Sequence, residues 1–144
     1  MIKKEFNNDI QLTEIESERT YFCPQIKINL KGLDTLNIGE DYSHNISLLN
    51  GQKVSIPNNW CAFSAVVFDD MFTFDLNNQN EFLSYELVFE KEKSRTYLFE
   101  NMEYTIENPI NIGIKVSGSH YVIDSKGVIH YIKNSFIKIV SSTI

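Results

Sequence analysis

The sequence predicts an all-β fold, a single antiparallel β-sandwich or partly open barrel of about ten short strands, and three observations predict it. Apolar residues recur at every second position, as in Ile110, Ile112, Ile114 and Val116, the period of a strand with one buried face. Turn residues punctuate these runs: Asn50-Gly51, Ser117-Gly118-Ser119, and Asp124-Ser125-Lys126-Gly127. Alanine, the best helix former, occurs only at Ala62 and Ala65, while Ile, Val, Phe and Tyr are plentiful, a balance that favours sheet.

Taken in order, residues 1–20 alternate weakly and carry Glu14, Glu16 and Glu18, which reads as a short lead-in or an edge strand blunted by charge. Tyr21 to Lys31 is a strand with Ile26, Ile28 and Leu30 inward, and Gly32 to His44 is turn-rich. Ile46 to Ile56 forms a hairpin around Asn50-Gly51, the pair that suits a type I′ turn. Trp60 to Phe68 is almost wholly apolar, the signature of a central strand covered on both faces. Phe72, Phe74 and Leu76 alternate on the way back. Residues 81–92 fit a strand or a helix; the strand places every acid outward and is preferred, with Thr96 to Phe99 as its partner. Asn111 to Val140 closes the chain as a meander. There Asp124 to Gly127 is read as a type I turn with Gly127 left-handed, pairing Val122 with His130 and placing His120 opposite Ile132. A faint internal echo links Gly51, Ile56, Asn58 and Trp60 with Gly127, Ile132, Asn134 and Phe136, as two equivalent hairpin-to-strand corners would.

Length and composition fit one domain spanning 1–144: the 42% hydrophobic and 12% aromatic content supplies a core. No apolar run has the form of a signal peptide or a membrane span, so the expected location is the cytoplasm, where Cys23 and Cys61 stay reduced. The net charge of −6 is uneven: from Asp69 to Glu107 ten acids face only Lys91, Lys93 and Arg95, whereas beyond Asn108 the one acid is Asp124. A chain so poor in clustered Lys and Arg is not built for nucleic acid.

The residues that carry chemistry form no recognisable set. His120, His130 and Asp124 share one hairpin face but fall short of a zinc site, lacking a third strong ligand and the usual spacing. Cys61 sits in an apolar run that predicts an inert thiol. His44 reads as a turn residue and Trp60 as core. No nucleophile motif or phosphate loop occurs, so no catalytic residue, metal or cofactor is expected. By elimination the expected function is non-enzymatic protein binding by a monomer or weak homo-oligomer. The form expected is an immunity-type inhibitor that occludes a cationic partner, such as a bacterial toxin, with an acidic sheet face. Asp69, Asp70, Glu86, Glu90, Glu100 and Glu103 would supply the charge, and Tyr85, Tyr97 and Tyr104 the anchors. A phage or appendage assembly protein and a barrel around a small apolar ligand are the alternatives.

Overall fold

The computed structural model describes residues 10–11, 16–67, 82–87 and 92–142, with backbone alone at 10–11, 67 and 82–87. Fourteen strands and no helix occur among the described residues. They run β1 (Ile10–Gln11), β2 (Glu16–Phe22), β3 (Lys27–Lys31), β4 (Leu33–Ile38), β5 (His44–Leu48), β6 (Lys53–Ile56) and β7 (Ala62–Val67). After these come β8 (Phe82–Leu87), β9 (Ser94–Leu98), β10 (Glu103–Glu107), β11 (Pro109–Lys115), β12 (His120–Asp124), β13 (Ile129–Ile132) and β14 (Lys138–Ser142). Three antiparallel sheets result: β1-β4-β5-β6, β10-β9-β14, and a seven-stranded β3-β2-β7-β13-β12-β11-β8. The fold is all-β and sandwich-like, and no barrel closes among the described residues.

The echo heard in the sequence extends across the whole molecule. Residue n of β1–β7 corresponds to residue n + 76 of β8–β14, and the starts of β3 to β7 fall on those of β10 to β14 at that shift. Backbone conformation obeys it too. The left-handed residues Gly32 (φ 65°), Tyr42 (φ 64°) and Gly51 (φ 89°) answer to Asn108 (φ 51°), Gly118 (φ 94°) and Gly127 (φ 83°). Both Gly51 and Gly127 donate to the carbonyl three residues back, of Leu48 and Asp124, and both hairpins are type I turns closed by a left-handed glycine. The expected type I′ geometry at Asn50-Gly51 is thereby corrected, because Asn50 is not left-handed.

Each repeat encloses its own core. Tyr21, Leu33, Leu36, Ile46, Ile56 and Phe63 pack between β1-β4-β5-β6 and β3-β2-β7. Tyr97, Tyr104, Ile106, Ile112, Val122 and Ile132 pack between β8-β11-β12-β13 and β10-β9-β14. The repeats join where β7 pairs with β13, Ala62 opposite Ile132 and Ala65 opposite Ile129. Since neighbours in a strand point to opposite faces, Tyr21 and Phe63 serve the first core while Phe22 and Ala62 reach the second. The two cores therefore lie on opposite faces of the seven-stranded sheet.

Several expectations change. β2 is an interior strand between β3 and β7, and Glu16 is buried instead of guarding an edge. Tyr21 to Lys31 is not one strand: a turn after Phe22 separates β2 from β3 and leaves Ile26 60% exposed. Residues 33–38, read as turn, form β4. Phe82–Leu87 is a strand, as preferred, but it pairs with β11 and not with residues 96–99. Trp60 to Phe68 contains the central β7, and β12 and β13 pair in the expected register. The last strand leaves the meander to pair with β9. The strand expected over Phe72 to Leu76 lies outside the described residues.

The shared left-handed positions make a clean test of backbone strain. A Cβ at Gly32 would meet nothing within 4 Å, so Gly32→Ala should cost only the left-handed penalty, about 1–2 kcal/mol in urea denaturation. Gly32→Asn should cost less, because Asn tolerates this region and Asn108 already occupies the equivalent site. Equal losses for the two variants would contradict the assignment.

Candidate functional site

Four polar side chains of the first repeat meet inside its core. Arg19 and Tyr21, two apart on β2, share a face, but Glu16 at i−3 would ordinarily point away. The β2–β7 register slips between Glu16 and Glu18, and this irregularity brings Glu16 round to the same side. Arg19 Nε and Nη2 then donate to the two Glu16 oxygens at 2.8 and 2.7 Å, and Nη1 donates to the Tyr21 hydroxyl. A guanidinium only donates, so Tyr21 passes its own proton toward His44 Nδ1 at 2.6 Å, which assigns the His44 proton to Nε2.

The second repeat builds the same tetrad from Glu92, Arg95, Tyr97 and His120. Arg95 Nε donates to Glu92 at 3.1 Å and Nη1 to Tyr97 at 3.3 Å, while Tyr97 meets His120 Nδ1 at 2.7 Å. Ser141 also donates to Glu92. Burial governs the titration of both sets. It pushes Tyr21 and Tyr97 up to about 12, and lowers His44 to about 3 and His120 to about 4, with Arg19 and Arg95 adding to the effect on the respective imidazoles. Burial opposes the charge on Arg19, but Tyr21 and Glu16 outweigh it and its pKa rises. The two tyrosines and the two histidines are thereby all displaced away from neutrality. His44 is thus a buried strand residue and not a turn residue.

A third histidine has no counterpart. His130 Nε2 lies 2.9 Å from Asp124 Oδ2, His130 Nδ1 lies 2.6 Å from the Tyr104 hydroxyl, and Ser64 also bonds Tyr104. Asp124 Oδ1 caps its turn by accepting from the amides of Lys126 and Val128. Burial disfavours the Asp124 charge, but His130 and those amides hold its carboxyl below the usual range. In the first repeat the equivalent positions are Leu48, Val54 and Ile28, which pack as apolar side chains. The fold itself therefore does not require this polar chain. His120 and His130 do share a hairpin face, as expected, but that face looks into the core rather than toward water.

The acids expected to act together are split. Glu86 lies on β8 at the end of the seven-stranded sheet and Glu103 on β10 of another sheet. Tyr85 also lies on β8, while Asp69, Asp70 and Glu90 fall outside the described residues. Tyr97 and Tyr104, expected as exposed anchors, are core residues at 0% and 5% exposure, because their hydroxyls find buried histidines. What remains is a row on the edge strand β10, where Glu103, Thr105 and Glu107 are exposed between buried Tyr104 and Ile106. Glu100 stands exposed just before it. Glu107, outside the expected set, completes the row, and its period-two spacing from Glu103 is the signal in the sequence that marks it. At the matching positions β3 carries Lys27, Asn29 and Lys31.

Between the repeats lies a cleft of about 280 Å³ walled by Trp60, Phe63, Tyr121 and Tyr131. The Trp60 indole N–H is buried without a hydrogen-bond partner. Cys23 and Cys61 are buried free thiols whose pKa burial raises. Among the described residues no group of three or more His, Cys, Asp or Glu is placed to hold a metal ion. No helix long and apolar enough to cross a membrane occurs among them.

Two measurements check this electrostatic account. Unfolded imidazoles titrate near 6.5, above the folded values of about 3 for His44 and about 4 for His120, so the unfolded chain binds more protons below about 6.5. Stability should therefore be level above pH ~7 and fall by roughly 2 kcal/mol per histidine by pH ~5. A thermal midpoint unchanged over that range would mean the imidazoles protonate freely in the fold. Separately, Tyr104→Phe and His130→Val should each cost about 1–3 kcal/mol. The double variant should cost less than their sum by roughly 0.5 kcal/mol or more; strict additivity would show the contact to be uncoupled. No protein-family model matches this chain, and comparison with curated proteins and with solved structures likewise finds no match.

Proposed function

We propose that this chain is a non-enzymatic binding protein that docks the β10 margin of its three-stranded sheet against a cationic protein, in the manner of an immunity-type inhibitor. The observation that carries the reading is the exposed row Glu103, Thr105 and Glu107, extended by Glu100. Charges at such a rim steer encounter more than they hold the complex. Thr96 and Thr105 bridge the face through their hydroxyls at 2.8 Å, giving it a polar, ordered floor. The strands behind it are pinned by the tetrad of Arg95 and by the Tyr104–His130 contact, so little ordering would be needed on binding. Burial of Tyr97 and Tyr104 removes two aromatic anchors from the surface, and the reading rests on charge and shape instead.

Reversing Glu100, Glu103 and Glu107 to Lys should leave the melting temperature nearly unchanged, since all three are exposed. Against a cationic protein that the unaltered chain binds, the association rate should fall by roughly ten-fold or more. The salt dependence of binding should flatten. Unaltered association kinetics in the triple variant would remove the acidic margin from the interface.

A further inference from the structure

The contact that joins the two repeats can be made again. Within the chain β7 pairs with β13. The 76-residue correspondence turns β7 into β14 and β13 into β6, and both stand at the ends of their sheets, partnered on one side only among the described residues. We propose that copies of this chain associate head to tail by pairing β14 of one molecule with β6 of the next. The second repeat of one copy would then meet the first repeat of the following copy as the two repeats meet inside each chain. The register carries over: Lys53 comes opposite Ser141 and Ser55 opposite Ile139, as Ile129 is opposite Ala65 and Tyr131 opposite Phe63.

Burial at equivalent positions supports this. Ala62, Ala65 and Ile129 are covered at the internal junction, at 0%, 3% and 5% exposure, whereas their counterparts Lys138, Ser141 and Lys53 face solvent. Beside them Ile137 and Val140 are left 70% and 46% exposed on the β14 side. An unpaired strand edge flanked by apolar side chains is a template for pairing. Lys138 stands where Ala62 stands, and a lysine on an edge weakens such pairing while its alkyl stem can still lie along the neighbour. Association is accordingly weak and reversible. The two surfaces differ, so the contact is heterologous and a dimer leaves one β14 and one β6 unpaired, open to further copies. At the internal junction Lys27 and Lys31 of β3 stay exposed, so Glu103 and Glu107 would remain accessible in the assembly.

Lys53→Cys and Ser141→Cys test the pairing at exposed positions; Ser141→Cys gives up a hydroxyl bond to Glu92, a carboxylate that Arg95 continues to hold. Directly opposed strand residues place their Cβ atoms close enough for a disulfide after small adjustment. When a size-tagged Lys53→Cys chain is mixed with Ser141→Cys under mild oxidation, the tagged–untagged dimer should dominate over either self-linked product. The double variant should form a ladder of dimers, trimers and longer products, and adding Lys138→Ala should raise the yield. The control is Lys31→Cys mixed with Ser141→Cys, which joins an exposed residue of another edge. All chains keep buried Cys23 and Cys61, so any background from them is common. A Lys53–Ser141 yield no higher than this control, or no ladder from the double variant, overturns the proposal.

Discussion

Each half of this molecule is organised by the need to neutralise a guanidinium drawn into a small sandwich, buried at Arg19 and partly buried at Arg95. A buried, unpaired Arg would be prohibitively costly, so Arg19 dictates its surroundings. It needs a carboxylate on its own face, which the register slip before Glu18 provides, and an acceptor for its third nitrogen, which Tyr21 supplies. Tyr21 then donates its hydroxyl hydrogen to a buried acceptor, the Nδ1 of the neutral His44 imidazole. The chain Glu–Arg–Tyr–His thus crosses from β2 to β5 and ties the two sheets of a repeat together. Arg19 also lies 4.1 Å from the centre of the Phe63 ring, so the same cation packs against the apolar core.

Because the unit occurs twice, the molecule contains its own comparison. The tetrad of Arg19 returns intact around Arg95, and the left-handed backbone positions return with it. What returns is what the fold needs. The Asp124–His130–Tyr104 chain does not return: Leu48, Val54 and Ile28 fill those places, and the sheets still pack. A buried polar chain and an apolar cluster are here alternative solutions to one packing problem. The polar one is satisfied end to end, the condition under which it is tolerated.

How much of this the sequence disclosed follows the range of each interaction. Local signals were legible. Asp124 to Gly127 specified its turn and, through the turn, the pairing of Val122 with His130; the apolar run after Trp60 specified an interior strand. The strand over residues 33–38 is not legible because it is short, flanked by Gly32 and Gly39, and alternates imperfectly, with Leu33 and Leu36 buried three apart. The burial of Glu16 is not legible because a one-residue slip in register between Glu16 and Glu18, invisible in composition, turns Glu16 to the other face. The tetrads were beyond local reading, since Tyr21 meets a histidine 23 residues away. Yet Glu-x-x-Arg-Thr-Tyr occurs at 16–21 and again at 92–97, and at the same spacing as the hairpin echo. That second match would have turned four coincident residues into a repeat.

The outward positions have taken a different course from the inward ones. On β3 and β10 the inward residues keep their apolar character where Leu30 answers to Ile106, while the outward pairs oppose in sign, Lys27 and Lys31 against Glu103 and Glu107. Core positions are bound by volume and by the buried tetrads, whereas a solvated edge tolerates either charge at little cost in stability. Charge on these strands is consequently where two corresponding strands acquire different surfaces. If stability alone acted on β10, a mixed set of charges would serve as well as a run of one sign. An acidic row on β10, mirrored by a basic one on β3, sets one end of the molecule apart from the other, and on the reading proposed above that difference is what a cationic partner would detect.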